Sequence, residues 1–394
     1  IGALCYAELA TAFPSAGGDY HFLRRAYGNK VSFLFAWARF SVITTGSIAL
    51  LGFVFGDYMG QVLPLGAHGS SIYAALAIAV LTWVNLRGIR SGAAAQTWLT
   101  LLDVAGLLLV GVAGLYLTMG GATAAAPAAA AAPSAPSLAA FGMAMVFVLL
   151  TYGGWNEAAY ISAELKDERR NMVKALVLSI LIITALYMAV NWAYLQGLGV
   201  EGMAKSEALA ADLLGRAFGP IGGTLISIMV AIAALTSINA TMIVGARTNF
   251  AVGRDWPVLS WLGRWDDVRD TPTTALLLQS ALAILLVLIG AAGGSGFKAM
   301  VEFTAPVFWL FFLLTGISLF VLRSREPDVP RPFRVPLYPM LPIIFCAVCA
   351  YMLWSSLTYV YGQEVGGLNA AWIGVAVLAT GALLLLAIRQ PRAA

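Results

Sequence analysis

Charge is what this sequence has least of. Asp, Glu, Lys and Arg make up 11% of its 394 residues, where a soluble chain carries about a quarter. Hydrophobic residues reach 60% and the mean hydropathy is +0.85. That balance excludes a soluble enzyme, a disordered chain and a nucleic-acid binder. Three cysteines (Cys5, Cys346, Cys349) cannot build a disulfide framework. The one-turn spacing of Cys346 and Cys349 reads as packing. Two histidines, His21 and His68, are too few for a histidine-rich metal site, so no metal is expected. Walker A, HExxH and GxSxG patterns are all missing, which leaves ATP-driven work, hydrolase chemistry and a cofactor without support. What the chain does have is long apolar runs, the mark of an all-α polytopic membrane protein.

Runs of spanning length lie near 31–64, 70–86, 94–118, 138–163, 173–197, 219–247, 273–291, 299–322, 337–360 and 368–388. Their length and their Leu, Ala and Ile content predict helices rather than strands. The opening run from Ile1 to Phe13 is about 13 residues long, short of the roughly 20 that a span needs. It lacks the basic start of a signal peptide and reads as the second half of a helix whose beginning is absent. Counting it, about eleven transmembrane helices are expected.

Basic residues set the orientation. They gather in alternate connections: Arg24, Arg25 and Lys30; Arg87 and Arg90; Lys166, Arg169, Arg170 and Lys174; Arg247, Arg254, Arg264 and Arg269; Arg323, Arg325, Arg331 and Arg334; Arg389 and Arg392. Of the 23 Lys and Arg, only Arg39, Lys205, Arg216 and Lys298 lie elsewhere. By the positive-inside rule the first set is cytoplasmic, and so is the C-terminus. The same residues are placed to meet lipid headgroups. The Ala/Pro-rich stretch 120–137 is uncharged and reads as an extracellular spacer. In 200–218, Ser206 is positioned to cap an amphipathic helix with Leu209, Leu213, Leu214 and Phe218 on one face. Such a helix either lies on the bilayer or covers a vestibule.

The stretch Leu150-Thr151-Tyr152-Gly153-Gly154-Trp155-Asn156-Glu157 falls midway along a predicted span. Each glycine weakens a helix by about 1 kcal/mol relative to alanine. Unwound backbone at that depth is tolerated only where it lines a protein cavity. A broken helix there offers carbonyls to cations and amides to anions, as in transporter sites near the midplane. The competing reading is a close helix crossing that needs small residues. Asp103, nine residues into the span 94–118, is the second feature. A bare charge at the bilayer centre costs about 2.5–3.5 kcal/mol or more, so it serves a proton or Na⁺ or is a protonated structural Asp. Glu8, Arg39 and Asp57 lie nearer helix ends, where interfacial solvation is the default. Ser237 and Asn239 either face the same cavity or glue helices together, and Trp309 either walls a pocket or packs.

At these residues a resemblance emerges. Cys5-Tyr6-Ala7-Glu8-Leu9-Ala10-Thr11-Ala12-Phe13-Pro14 and Ala16-Gly17-Gly18-Asp19-Tyr20 resemble the second helix and following loop of amino-acid permeases of the amino acid–polyamine–organocation superfamily. Tyr152-Gly153-Gly154-Trp155-Asn156, with Glu164 and Glu168-Arg169-Arg170-Asn171, is similar to the broken sixth helix of its L-type amino acid transporter branch. Leu322-Arg323, Pro327-Asp328 and Pro330-Arg331-Pro332 resemble the loop after that branch's tenth helix. The resemblance implies family helices two to twelve. Residues 1–119 would be the remainder of the first inverted five-helix repeat, 120–137 a linker, 138–322 the second repeat, and 323–394 two peripheral helices and a tail. It places Leu150, Thr151, Tyr152, Gly153, Gly154 and Trp155 in the substrate site, with Leu150 at a gate position usually aromatic. Ser47 and Trp309 would complete the cavity, and Ser237 and Asn239 fall in the eighth-helix motif.

The chain departs from the family in two ways. The Gly-rich first helix is absent, and with it half of the implied site. Seven residues after Gln96, where many relatives have a lysine, stands Asp103, which reverses the charge at a place where Na⁺ sits in Na⁺-coupled cousins. No cysteine occurs from Leu65 to Gly69, so no disulfide-linked heavy chain is expected. The resemblance implies a secondary active transporter of neutral amino acids in a bacterial-type inner membrane, working by alternating access. It would be a proton or Na⁺ symporter or an exchanger, with Asp103, Ser237 and Asn239 serving the ion. Its partners would be the amino acid, a proton or Na⁺, and membrane lipids, with no nucleic acid. The alternatives are a non-transporting membrane sensor or scaffold on the same fold, or an inactive fragment.

Overall fold

The computed structural model describes residues 1–15, 17–87, 93–120, 137–156, 168–269, 271–292, 296–358, 364–365 and 368–387. Among these the chain is almost wholly helical. The helices are α1 (Gly2–Ala12), α2 (Gly18–Tyr27), α3 (Asn29–Ala38), α4 (Thr44–Val62), α5 (Gly69–Leu86), α6 (Ala93–Thr118) and α7 (Leu138–Thr151). They continue as α8 (Glu168–Lys205), α9 (Leu209–Asp255), α10 (Thr273–Ala292), α11 (Gly296–Arg325), α12 (Met340–Thr358) and α13 (Ala370–Ala387). One antiparallel pair, β1 (Glu364–Val365) and β2 (Leu368–Asn369), precedes α13. A π-helical turn, Arg39–Ile43, joins α3 to α4 in one rod.

Among the described residues eight helices are long and apolar enough to cross a bilayer, and the shorter Leu138–Thr151 and Ala370–Leu386 are apolar as well. Helices suit this setting because every backbone group bonds within its own segment, where lipid offers no partner. Their outer faces carry Leu76, Trp83, Leu108, Leu181, Ile221 and Leu288, all exposed. The spans follow the apolar runs read from sequence. The residues 121–136 of the spacer, and Arg90, Glu157, Glu164, Lys166, Arg389 and Arg392, lie outside the described residues.

The two largest apolar clusters among the described residues organise the bundle. One joins α1, α7, α8, α11 and α12 through Tyr6, Val146, Leu176, Trp309, Phe312 and Met352. The other joins α3, α4, α5, α9, α10, α11 and α13 through Phe35, Ile48, Ile78, Met242, Val287 and Phe303. α11 belongs to both. Buried amides tie the second core: Asn85 Nδ2 donates to Asn239 Oδ1 at 2.7 Å and Asn249 Nδ2 to Gln279 Oε1 at 3.1 Å. Gly46 brings α4 against α11, since a Cβ there would collide with the Thr304 methyl.

Three expectations need correction. Glu8 is not at a solvated interface: it is 1% exposed, and Arg323 clasps it with Nε and Nη2 at 2.7 and 2.6 Å. Arg39 is likewise buried. The amphipathic helix starts at Leu209 after Ala208, and Ser206 instead donates to Asp212 Oδ2 at 2.6 Å. Its apolar face, Leu213 and Leu214, packs on Leu117 and Leu198 at the ends of α6 and α8. Gly219, at φ 73, turns the chain from that piece into the α9 span.

Candidate functional site

α7 begins at a Ser137 cap, whose Oγ accepts from Ala140 N at 3.2 Å, and stops at Thr151. Tyr152, Gly153 and Gly154 form a turn in which Gly153 N donates to Leu150 O at 2.8 Å. Gly154 has φ 93, a conformation that a side chain resists. A Cβ on Gly153 would lie 2.8 Å from Leu150 O. Both glycines of the pair are therefore required by the turn, and the helix breaks there.

The break opens on a cavity of about 550 Å³, within the ~300–1,000 Å³ usual for small-molecule sites. Leu150, Gly153, Gly154 and Asn156 line one side. Ile43, Thr44, Ser47, Leu50 and Leu51 join them from the π turn and α4. α9 supplies Ser237, Ala240, Thr241, Val244 and Gly245, and α11 supplies Thr304, Phe308, Phe311 and Phe312. Asp19 and Arg39 bring the two charges among the described lining residues, and they are opposite in sign. Asp19 Oδ1 accepts from Tyr6 Oη at 2.6 Å and Thr315 Oγ1 at 3.2 Å.

Several hydroxyls here have committed their protons. Ser47 donates to Ile43 O at 2.8 Å, Thr241 to Ser237 O at 2.8 Å and Thr304 to Met300 O at 2.9 Å. What they hold out to a ligand is lone pairs. The cavity is thus a mostly apolar chamber with acceptors along three helices.

Of the residues singled out from sequence, Leu150, Gly153, Gly154, Ser47 and Ser237 share this lining. Thr151 and Tyr152 turn toward α8: Tyr187 Oη donates to Thr151 O at 3.2 Å, and Tyr152 meets the Tyr187 ring edge-on at 5.1 Å. Trp155 packs between Tyr6 and Phe312. Trp309 is buried against Phe308 and Phe312 and does not line the cavity. Asn239 bonds Asn85, and Asp103 occupies an exposed position on α6 outside the lining. Sequence reasoning passed over Asp19, Asn156, Thr241, Thr304, Phe308 and Phe312. Asn156 stood inside the quoted motif, and Thr304, Phe308 and Phe312 recur at helical spacing, so both signals were present.

A polytopic helix bundle in which a span ends at a glycine turn on an internal chamber has the construction of a membrane transporter. The family model described as Amino acid permease matches residues 1–385, and the chain belongs to that family. It is an integral membrane protein. It is 29% identical over 393 residues to Large neutral amino acids transporter small subunit 2 of Oryctolagus cuniculus, covering 97% of this chain and 70% of that one. To b(0,+)-type amino acid transporter 1 of Mus musculus it is 28% identical over 358 residues, 90% of this chain and 72% of the relative. Serine/threonine exchanger SteT of Bacillus subtilis (strain 168) is 28% identical over 362 residues, with 90% and 80% covered. This places the chain in the superfamily and L-type branch that its motifs resemble, as a secondary amino-acid transporter.

Proposed function

We propose that the protein carries neutral amino acids across a bacterial plasma membrane by alternating access, with a cytoplasmic C-terminus. The observation that carries this reading is the cavity shared by the Gly153–Gly154 turn, α4, α9 and α11. The substrate ammonium rests on main-chain oxygens of the turn, beside the lone pairs of Ser47 and Thr241. Asn156 adds an amide that both donates and accepts. The side chain lies against Leu50, Leu150, Phe308 and Phe312. Neutral side chains are favoured because the two lining charges, Asp19 and Arg39, cancel. The serine/threonine exchanger among its relatives supports the substrate class and an exchange mode.

Asp103 is the proposed coupling group. A carboxylate on an exposed face of an apolar span costs about 2.5–3.5 kcal/mol or more, an expense best explained by a proton or Na⁺ that it serves. The test is counterflow into proteoliposomes loaded with unlabelled amino acids. Labelled serine, threonine or leucine is expected to accumulate transiently. No accumulation with any neutral amino acid would sink the reading.

A further inference from the structure

Tyr6 on α1 is 1% exposed and takes no part in the scheme above. Its ring meets Trp155 edge-on with centroids 5.0 Å apart, and Phe312 at 5.8 Å. Its hydroxyl donates to Asp19 at 2.6 Å. Trp155 directly follows the glycine pair, Phe312 walls the cavity, and Asp19 lines it. One stiff side chain therefore touches the broken helix, the α11 wall and the lining carboxylate. α1 leaves little slack, since a Cβ on Gly2 would stand 3.0 Å from Trp155 Cη2 and 2.7 Å from Phe345 Cε2. Hydrogen bonds to a carboxylate are about twice as strong as neutral ones.

We propose that Tyr6 is a positioning residue for transport: its ring holds the segment after the glycine pair and its hydroxyl holds Asp19, so that break and carboxylate move as one unit when access changes. This rests on the cavity being the amino-acid site. If Tyr6 served packing alone, its ring would matter and its hydroxyl would not. Substrate binding asks nothing of the hydroxyl, so its loss should slow turnover more than it weakens affinity.

The experiment compares wild type, Tyr6→Phe, Asp19→Leu, which removes the acceptor, and the double variant in proteoliposomes. Uptake of labelled L-serine and L-leucine is normalised to folded transporter, and equilibrium binding of the same probes is measured in detergent. Tyr6→Phe is expected to lower Vmax about tenfold, with KM and binding within about twofold. The double variant should be no slower than the slower single variant, because both break one link. Wild-type Vmax in Tyr6→Phe, or losses that multiply in the double variant, overturns the proposal. If Tyr6→Phe does not fold, Asp19→Leu decides alone: an unchanged Vmax overturns the link. An inactive wild type instead removes the transport reading and takes this inference with it, whereas normal wild-type flux with unimpaired variants removes only the inference.

Discussion

Two of the helices that line the cavity, α7 and α11, treat their helix-breaking residues in opposite ways. α11 carries Pro306 yet runs unbroken from Gly296 to Arg325. α7 carries no proline and stops at Thr151, ahead of its glycine pair. Packing accounts for the difference. Every residue from Ala299 to Val307 is buried, and Thr304 Oγ1 donates to Met300 O and lies 3.2 Å from Val301 O. A proline removes one amide and crowds the preceding turn, but neighbours on all sides hold the rod. Gly153 and Gly154, by contrast, are exposed, and among the described residues no atom stands within 4 Å of a Cβ placed on Gly154. A helix breaker breaks only where tertiary contacts do not overrule it.

Substitution at each breaker tests that comparison most severely. Gly154→Ala forces a side chain into a left-handed conformation costing about 1–2 kcal/mol and is expected to cut initial-rate uptake about tenfold or more. Pro306→Ala restores an amide to a rod that its buried neighbours already hold and should leave uptake within about twofold of wild type. Equal effects of the two would show that the turn at 152–154 is incidental.

Ion pairs at the end of α11 extend the contrast between packed and open surroundings. Glu8 is clasped by Arg323, accepts from Val335 N at 2.7 Å and has Arg331 Nε 3.6 Å away. Glu8→Ala leaves the half-buried Arg323 guanidinium without its carboxylate and should cost about 3 kcal/mol, read as a lower melting temperature in detergent. Arg25 and Glu326, at 2.6 Å, are far more accessible, and Glu326→Ala should cost less than about 1 kcal/mol. The Arg25 guanidinium holds the Glu326 carboxyl below its ordinary range. Its contribution is complete above the unfolded value and fades only as the pH falls through the lowered native value. A Glu326 variant melting as early as the Glu8 variant would erase the distinction.

The smallest expected effect on rate is at Asp103, which stands on α6 outside the lining. Asp103→Asn should keep the KM for serine within about twofold while abolishing any pH or Na⁺ dependence of uptake. Ion dependence unchanged in that variant would leave Asp103 a structural residue.

Much of this was legible in advance, and the omissions share a cause. Span positions, the break and the family follow from local runs of residues. Membership of the cavity does not. Thr304, Phe308, Phe311 and Phe312 share one face of α11, while Trp309, one residue on, is rotated about 100° away into the core. Excluding Trp309 from the wall required knowing which face of α11 looks inward. The same applies to Thr151 and Tyr152, which belong to the broken stretch but face α8. Glu8 was assigned to an interface because its depth was judged along one helix, without the arginines that the loop after α11 brings to it.

Composition and order of residues alone determined that this chain is a helical membrane protein with a weak point halfway along the apolar run 138–163. Lipid provides no partners for the backbone, so apolar runs must become helices and adjacent glycines must be their softest place. Which side chains meet was decided only in three dimensions. Glu8 finds Arg323 across 315 positions of chain, and Tyr6 joins Trp155 to Asp19, because a buried charge or hydroxyl is stable only where the packed bundle delivers its complement.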